Sequence, residues 1–209
     1  SVDYGTDVWF NDEIPTGFGD NNLPHFRDAN FSEIDGIYAI IDLNQFGEPT
    51  LYIGITGKLE TNFNKLDLFF DYEDGVGQNQ LRGDNPDVDF NGLNRMGDDG
   101  TGNGLAFDVP FTANAYFTCT TGNYDCHIDE SEIYASFADL DLQEGYALGQ
   151  TTNGNGELTG GDNPFGIECT INNSNVDGVT SNTTTGAELI STGKEIAIAL
   201  SAFVDPTGD

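Results

Sequence analysis

One short stretch of the sequence has the residue types and the spacing of a calcium-binding loop. Asp87, Asp89 and Asn91 occupy positions 1, 3 and 5, a glycine follows at position 6, and Asp98 stands at position 12. Oxygen atoms at these positions point inward around a tight turn, and the carbonyl at position 7 adds a further ligand. The spacing therefore predicts a structural calcium ion held by Asp87, Asp89, Asn91, Leu93 and Asp98.

This loop departs from the helix-loop-helix form of regulatory calcium sites. Position 12 is Asp rather than Glu, and Gly and Pro flank the loop where helices would stand. It resembles the stand-alone calcium loops of dockerins and other extracellular proteins. The alternative interpretation is an acidic surface turn that matches the pattern by chance in an Asp-rich chain.

The three cysteines differ in their surroundings. Cys119 and Cys126 flank a polar segment that has the composition of a turn, and a disulfide needs only the approach of its two ends. We therefore predict a Cys119–Cys126 disulfide, which favours an oxidising, extracytoplasmic location. Cys169 has no obvious mate, and its alternation with Ile167 and Ile171 predicts a buried, inert thiol.

The charge of the chain excludes several kinds of partner. Six basic residues stand against 36 acidic ones, a formal charge of -30. No basic patch is available to neutralise phosphates, so nucleic acid and anionic membrane surfaces are poor partners. No apolar run approaches the roughly 18 to 20 residues that span a bilayer, so we expect no membrane insertion. The acid excess itself has two interpretations, solubility in a saline medium or carboxylates clustered to hold divalent cations.

The sequence offers little support for catalysis. His25 and His127 are the only histidines, and neither lies in a metalloprotease or nucleophile-elbow motif. A carboxylate pair for glycoside hydrolysis is left open, because sequence spacing does not fix the distance between two acids in space. We predict that the protein is not an enzyme.

The hydrophobic pattern is that of strands. Apolar and polar residues alternate over residues 51–56, 65–70 and 195–200, as in strands with one face in a core. Long segments rich in Gly, Asp, Asn and Thr separate the runs, over residues 71–104, 149–165 and 173–193. This pattern predicts an all-β fold, with residues 1–209 forming one jelly-roll-like β-sandwich that has long acidic Gly/Asn/Asp loops. Residues 131–140 fit either a strand or a short helix.

Several of these strands resemble a known family. Residues 66–71 (LDLFFD), followed by an acidic, Gly-rich loop, are similar to a strand of family-nine carbohydrate-binding modules and related DOMON-like sandwiches. Residues 192–203 and 51–56 resemble a late and a preceding strand of the same domains. Residues 16–20 and 59–65 also resemble a group of secreted bacterial surface proteins without an established activity. The resemblance implies a sandwich, structural calcium and binding of an extracellular glycan.

The two ends of the chain add expectations of their own. The sequence begins at Ser1, which suits a mature secreted form whose signal peptide has been removed, although an edited chain would look the same. In the similar sandwiches a further strand follows the one matched by residues 192–203, so either the chain is trimmed or a sheet edge is unpaired. An open edge is a template for strand addition.

The sequence thus favours a non-enzymatic structural or adhesive protein of the cell surface or matrix, a calcium-stabilised filament or matrix subunit that assembles through sheet edges. The alternative is a carbohydrate-binding module that recognises an extracellular polysaccharide.

Overall fold

A computed structural model gives the structure of the protein and describes residues 8–11, 32, 34–57, 59, 62–73, 75–122, 133–151, 156–172 and 192–203. These residues form ten strands and one short helix, α1 (Gly92–Met96). The strands are β1 (Val8–Asn11), β2 (Gly36–Leu43), β3 (Pro49–Thr56), β4 (Asn62–Phe70), β5 (Ala115–Gly122), β6 (Ile133–Asp139), β7 (Glu144–Thr151), β8 (Thr159–Gly160), β9 (Glu168–Ile171) and β10 (Gly193–Ala199). A 3₁₀ helix, Leu200–Phe203, follows β10.

The strands form two five-stranded antiparallel sheets, so the predicted all-β sandwich is confirmed. Sheet A has the order β1-β2-β3-β10-β9, and sheet B has the order β4-β5-β6-β7-β8. Neighbours in sheet B are consecutive in sequence, which is a meander and not the pair of Greek keys that defines a jelly roll. The jelly-roll part of the prediction is therefore corrected. The ambiguous residues 131–140 contain strand β6.

Alternation of side chains places the core between the two sheets. Ile53 and Ile55 of β3, Ile196 and Ile198 of β10, and Phe117 of β5 are all buried in it. Their neighbours in sequence point away from the core, because successive side chains of a strand lie on opposite faces. Among the described residues, no helix is long and apolar enough to cross a membrane.

The segment between β4 and β5 packs on the outer face of sheet B and has a small core of its own. That core is formed by Leu81, Val88, Leu93, Ala113, Tyr116, Ala138 and Leu140. Tyr116 and Ala138 come from sheet B, where they alternate with residues that face the main core. The predicted calcium loop lies within this insertion, so the second core sets its conformation.

The open sheet edge is not where the sequence suggested. Strand β10 lies inside sheet A, paired with β3 on one side and with β9 on the other. Of the two alternatives that the sequence left, a trimmed chain or an unpaired edge, the unpaired edge is not on this strand. The strands at the ends of the two sheet orders are β1, β9, β4 and β8.

Candidate functional site

The turn that carries the predicted calcium ligands has an unusual backbone. Asp89, Phe90 and Asn91 have φ angles of 55°, 53° and 64°, three successive non-glycine residues in the left-handed region. Gly92 then begins α1, and a side-chain carbon at this position would lie 2.8 Å from the Lys65 ammonium nitrogen. The glycine that the calcium pattern requires at position 6 thus leaves room here for a lysine of β4.

The Asp89 carboxylate forms an ion pair with a lysine side chain of the same chain. Lys65 Nζ contacts Asp89 Oδ2 in an ion pair, and it donates a second hydrogen bond of 3.4 Å to the Asp89 carbonyl. The Asp89 side chain is 4% exposed and that of Lys65 is 33% exposed. Burial raises the pKa of Asp89 above its ordinary value, against the lowering effect of Lys65. A calcium ion bound to Asp89 Oδ2 would have to displace this ammonium group.

The other four predicted ligands have separate surroundings. Asp98 Oδ1 accepts hydrogen bonds from the amides of Gly100 and Gly102 at 2.9 and 2.7 Å. Asn91 Oδ1 accepts one from the side-chain Nδ2 of Asn94 at 2.8 Å. Leu93 is buried in the second core, and Asp87 is exposed. Within the described ranges, no group of three or more His, Cys, Asp or Glu side chains is arranged to hold a metal ion.

Calcium binding by this loop stays a prediction, and chelation tests it. If calcium binds the native chain, removal with a chelator lowers the midpoint of thermal unfolding, because a ligand that binds only the folded state stabilises it. The measurement is calorimetry with excess calcium and with excess chelator at matched ionic strength. An unchanged midpoint would show that calcium does not bind the folded chain. The loop would then be a turn stabilised by the ion pair of Lys65 and Asp89.

Two of the three cysteines lie among the described residues. Cys119 on β5 and Cys169 on β9 are buried free thiols, as the sequence predicted for Cys169. Cys126 lies outside the described residues, so its pairing with Cys119 stays a prediction. Both histidines, His25 and His127, also lie outside them.

A groove of about 290 Å³ lies on the outer face of sheet A. Thr50 and Tyr52 of β3 line it, since they alternate with the core residues of the same strand. The β2–β3 turn adds Phe46, and the far side includes Phe165 and Glu168. The sequence does not show that Tyr52 and Phe46 share one groove, because only the fold brings the turn over the sheet. Aromatic rings beside polar groups suit the faces of sugar rings.

Residues 40–43, the second half of β2, form a second exposed surface. Strand β1 pairs with Gly36–Tyr38 only, so residues 40–43 have no partner on their outer side among the described strands. Two side chains here are strongly exposed, Ile41 at 60% and Leu43 at 62%, and Phe46 in the adjoining turn is 77% exposed. Contiguous exposed apolar groups on a sheet edge are typical of a contact surface.

The backbone register shows which groups this edge offers. Asn44 N–H donates to the Glu48 carbonyl at 2.9 Å, and Asp42 lies opposite Thr50. Bonds alternate along an antiparallel pair, so Ile41 and Leu43 direct their backbone groups away from β3. The Leu43 N–H is taken by Asp42 Oδ1 at 2.7 Å. The N–H and C=O of Ile41 and the C=O of Leu43 thus face outward.

Comparison with known proteins gives no relative for this chain. No protein-family model, no curated protein and no solved structure matches it. The resemblance to family-nine carbohydrate-binding modules therefore stays a prediction, and the proposals below are based on the geometry of this chain.

Proposed function

We propose that the chain is a non-enzymatic structural or adhesive protein of the cell surface or extracellular matrix that self-associates through the edge of β2. The observation that carries the proposal is the outer side of residues 40–43, which combines outward backbone groups with exposed Ile41 and Leu43. An added strand would satisfy those backbone groups and cover both side chains.

A second copy of the same chain is the partner that suits this edge. Two antiparallel strands can pair around a two-fold axis, so the donors and acceptors of one edge meet the acceptors and donors of the other. Ile41 would then lie near the axis, with its N–H and C=O directed at the partner strand. Residues 40–43 contain a single carboxylate, that of Asp42, and it already binds the Leu43 amide.

The net charge sets the conditions for such pairing. At a formal charge of -30, two copies repel each other, and salt screens this repulsion over a Debye length of about 8 Å at physiological ionic strength. We therefore expect association to strengthen as ionic strength rises. Calcium, if it binds, acts in the same direction by lowering the net charge.

Ile41→Pro is expected to abolish self-association while leaving the fold in place. The Ile41 N–H points away from β3, so proline removes no bond of the sheet, whereas it removes the donor that a partner strand needs. The measurement is size-exclusion chromatography with light scattering at low and high salt. Wild-type chain should show concentration-dependent assembly at high salt, and the proline variant should stay monomeric.

Ile41→Thr is the matched control for this variant. Threonine keeps the backbone N–H and the strand preference, so it should weaken association far less than proline does. Equal loss with both variants would show that the apolar side chain and not the strand edge makes the contact. A wild-type chain that stays monomeric at high salt and high concentration would contradict the proposal.

Glycan binding in the groove of sheet A is the second candidate function. The observation that favours it is the placement of Tyr52 and Phe46 beside Glu168 on one open face. A polysaccharide identified on a glycan array should bind Tyr52→Ala at least about fivefold more weakly, since loss of one stacking ring costs about 1 kcal/mol or more. Phe90→Ala, which removes a ring that is 80% exposed and outside the groove, is the control. Absence of any array signal, or equal loss in both variants, would remove this function.

A further inference from the structure

Two cysteines from opposite sheets meet in the main core. Cys119 lies on β5, an inner strand of sheet B, and Cys169 lies on β9, at the end of sheet A. Their side chains belong to the same apolar cluster, and the residues are 2% and 1% exposed. The register places Cys119 opposite Ala135 and Cys169 opposite Ile196, both core residues, so each thiol faces the space between the sheets.

The two thiols interact within this cluster. Both are free thiols in this structure, and Cys119 is the hydrogen-bond partner that most affects the Cys169 thiol. That hydrogen bond and burial raise the pKa of Cys169 well above its ordinary value, while Lys194 acts in the opposite direction. The folded chain thus keeps a neutral thiol that solvent does not reach. Reaction with an external oxidant requires the sheets to be apart, as they are before folding is complete.

We propose that Cys119 and Cys169 form a disulfide that joins the two sheets when the chain folds in an oxidising medium. Thiol–disulfide exchange supplies the chemistry, with a small-molecule disulfide such as oxidised glutathione as the oxidant. One cysteine thiolate attacks the oxidant and releases one reduced thiol, and the second cysteine resolves the mixed disulfide and releases another. The two cysteines lose two electrons and two protons, and one disulfide of the oxidant is reduced to two thiols.

This bridge competes with the one that the sequence predicts. A cysteine takes part in one disulfide only, so Cys119 bonds either to Cys126 or to Cys169. The placement of both thiols in the main core favours Cys169, because the Cys119 side chain faces the space between the sheets. The proposal does not depend on self-association through β2.

Peptide mapping after refolding decides between the two pairings. The reduced, unfolded chain is refolded in a buffer of oxidised and reduced glutathione, free thiols are alkylated, and proteolytic fragments are identified by mass spectrometry. The expected product is a cross-linked peptide pair that contains Cys119 and Cys169, with Cys126 alkylated. A pair that contains Cys119 and Cys126, or alkylation of all three cysteines, would overturn the proposal.

Thermal unfolding gives a second readout. The bridge closes a loop of about 50 residues, and typical disulfide stabilisation predicts that a reductant lowers the unfolding midpoint by roughly 5 to 15 °C. Cys126→Ser should retain the cross-link and the shift, and Cys169→Ala should lose both. If Cys169→Ala does not fold, mapping of the wild type and of Cys126→Ser still decides the outcome.

Discussion

Replacing Lys65 with methionine is expected to lower the free energy of unfolding by about 3 kcal/mol at neutral pH. Methionine keeps most of the aliphatic stem but leaves the Asp89 carboxylate buried without its cation. The Asp89 side chain is only 4% exposed, so water cannot replace the ammonium group. The loss should be measured by urea unfolding, with the midpoint and the slope compared between variant and wild type.

The pH dependence of this loss identifies its cause. Burial already raises the pKa of Asp89, and removal of Lys65 raises it further. A carboxyl whose pKa is higher in the folded than in the unfolded state makes a contribution that is lost as pH rises through the folded value. Stability of Lys65→Met should therefore recover as pH falls towards the ordinary value of Asp. A loss that stays constant with pH would contradict the role of Asp89.

Two control variants accompany this experiment. Asp89→Asn should cost less than Lys65→Met, because the lysine left behind is 33% exposed and can turn to solvent. Arg82→Met breaks the ion pair with Asp84. The side chains of Arg82 and Asp84 are 52% and 73% exposed, so this loss should be far smaller than that of Lys65→Met. A larger loss from either control would show that burial does not decide the effect.

Replacing Asn114 with aspartate is expected to cost about 4 kcal/mol at neutral pH. Asn114 is fully buried, and its Oδ1 accepts hydrogen bonds from the amides of Tyr72 and Glu73 at 3.0 and 3.3 Å. Its Nδ2 donates to Asp141 Oδ2 at 2.9 Å. Aspartate keeps the acceptor but turns the donor into an oxygen that faces another carboxylate.

Acid should restore part of this loss. Burial raises the pKa of Asp141, against the lowering effect of the Asn114 hydrogen bond. In the variant that bond is gone, so one of the two carboxyls takes up a proton at a higher pH in the folded than in the unfolded state. The stability lost as pH rises through this value returns when pH falls below it. Asn103→Asp adds the same charge at an exposed position and should change stability by less than about 0.5 kcal/mol at any pH. Equal losses of stability in Asn114→Asp and Asn103→Asp would show that the buried contact with Asp141 does not cause the effect.

The parts of the fold that sequence predicts are those with a regular period. Alternation in β3 and β10 identifies Ile53, Ile55, Ile196 and Ile198 as core residues, because period two leaves one face for the sheet interior. The second core has no such signal, since Leu81 and Val88 lie in irregular segments and Leu93 lies in a short helix. The composition of residues 71–104 indicates only a long loop and does not reveal that this insertion has a core.

The candidate sites depend even more on contacts that the sequence does not predict. Lys65 and Asp89 are 24 residues apart, and nothing local relates a strand lysine to a turn carboxylate. The calcium pattern identifies the turn at Asp89 and its glycine from residue types alone, but it does not reveal that Lys65 lies against the same turn. The sheet order is equally hidden in the sequence. Among the described strands β10 is paired on both sides, and the outer side of residues 40–43 on β2 has no partner.

Residue-resolved hydrogen exchange at increasing protein concentration tests the central claim, self-association through β2, most directly. The Ile41 amide points away from β3 and should exchange rapidly in dilute solution at low salt. At high concentration and high salt, exchange of this amide should slow, because a partner strand accepts its hydrogen bond. The amide of Asp42 faces β3 and should be much less affected. An Ile41 exchange rate that is the same at every concentration would contradict the account.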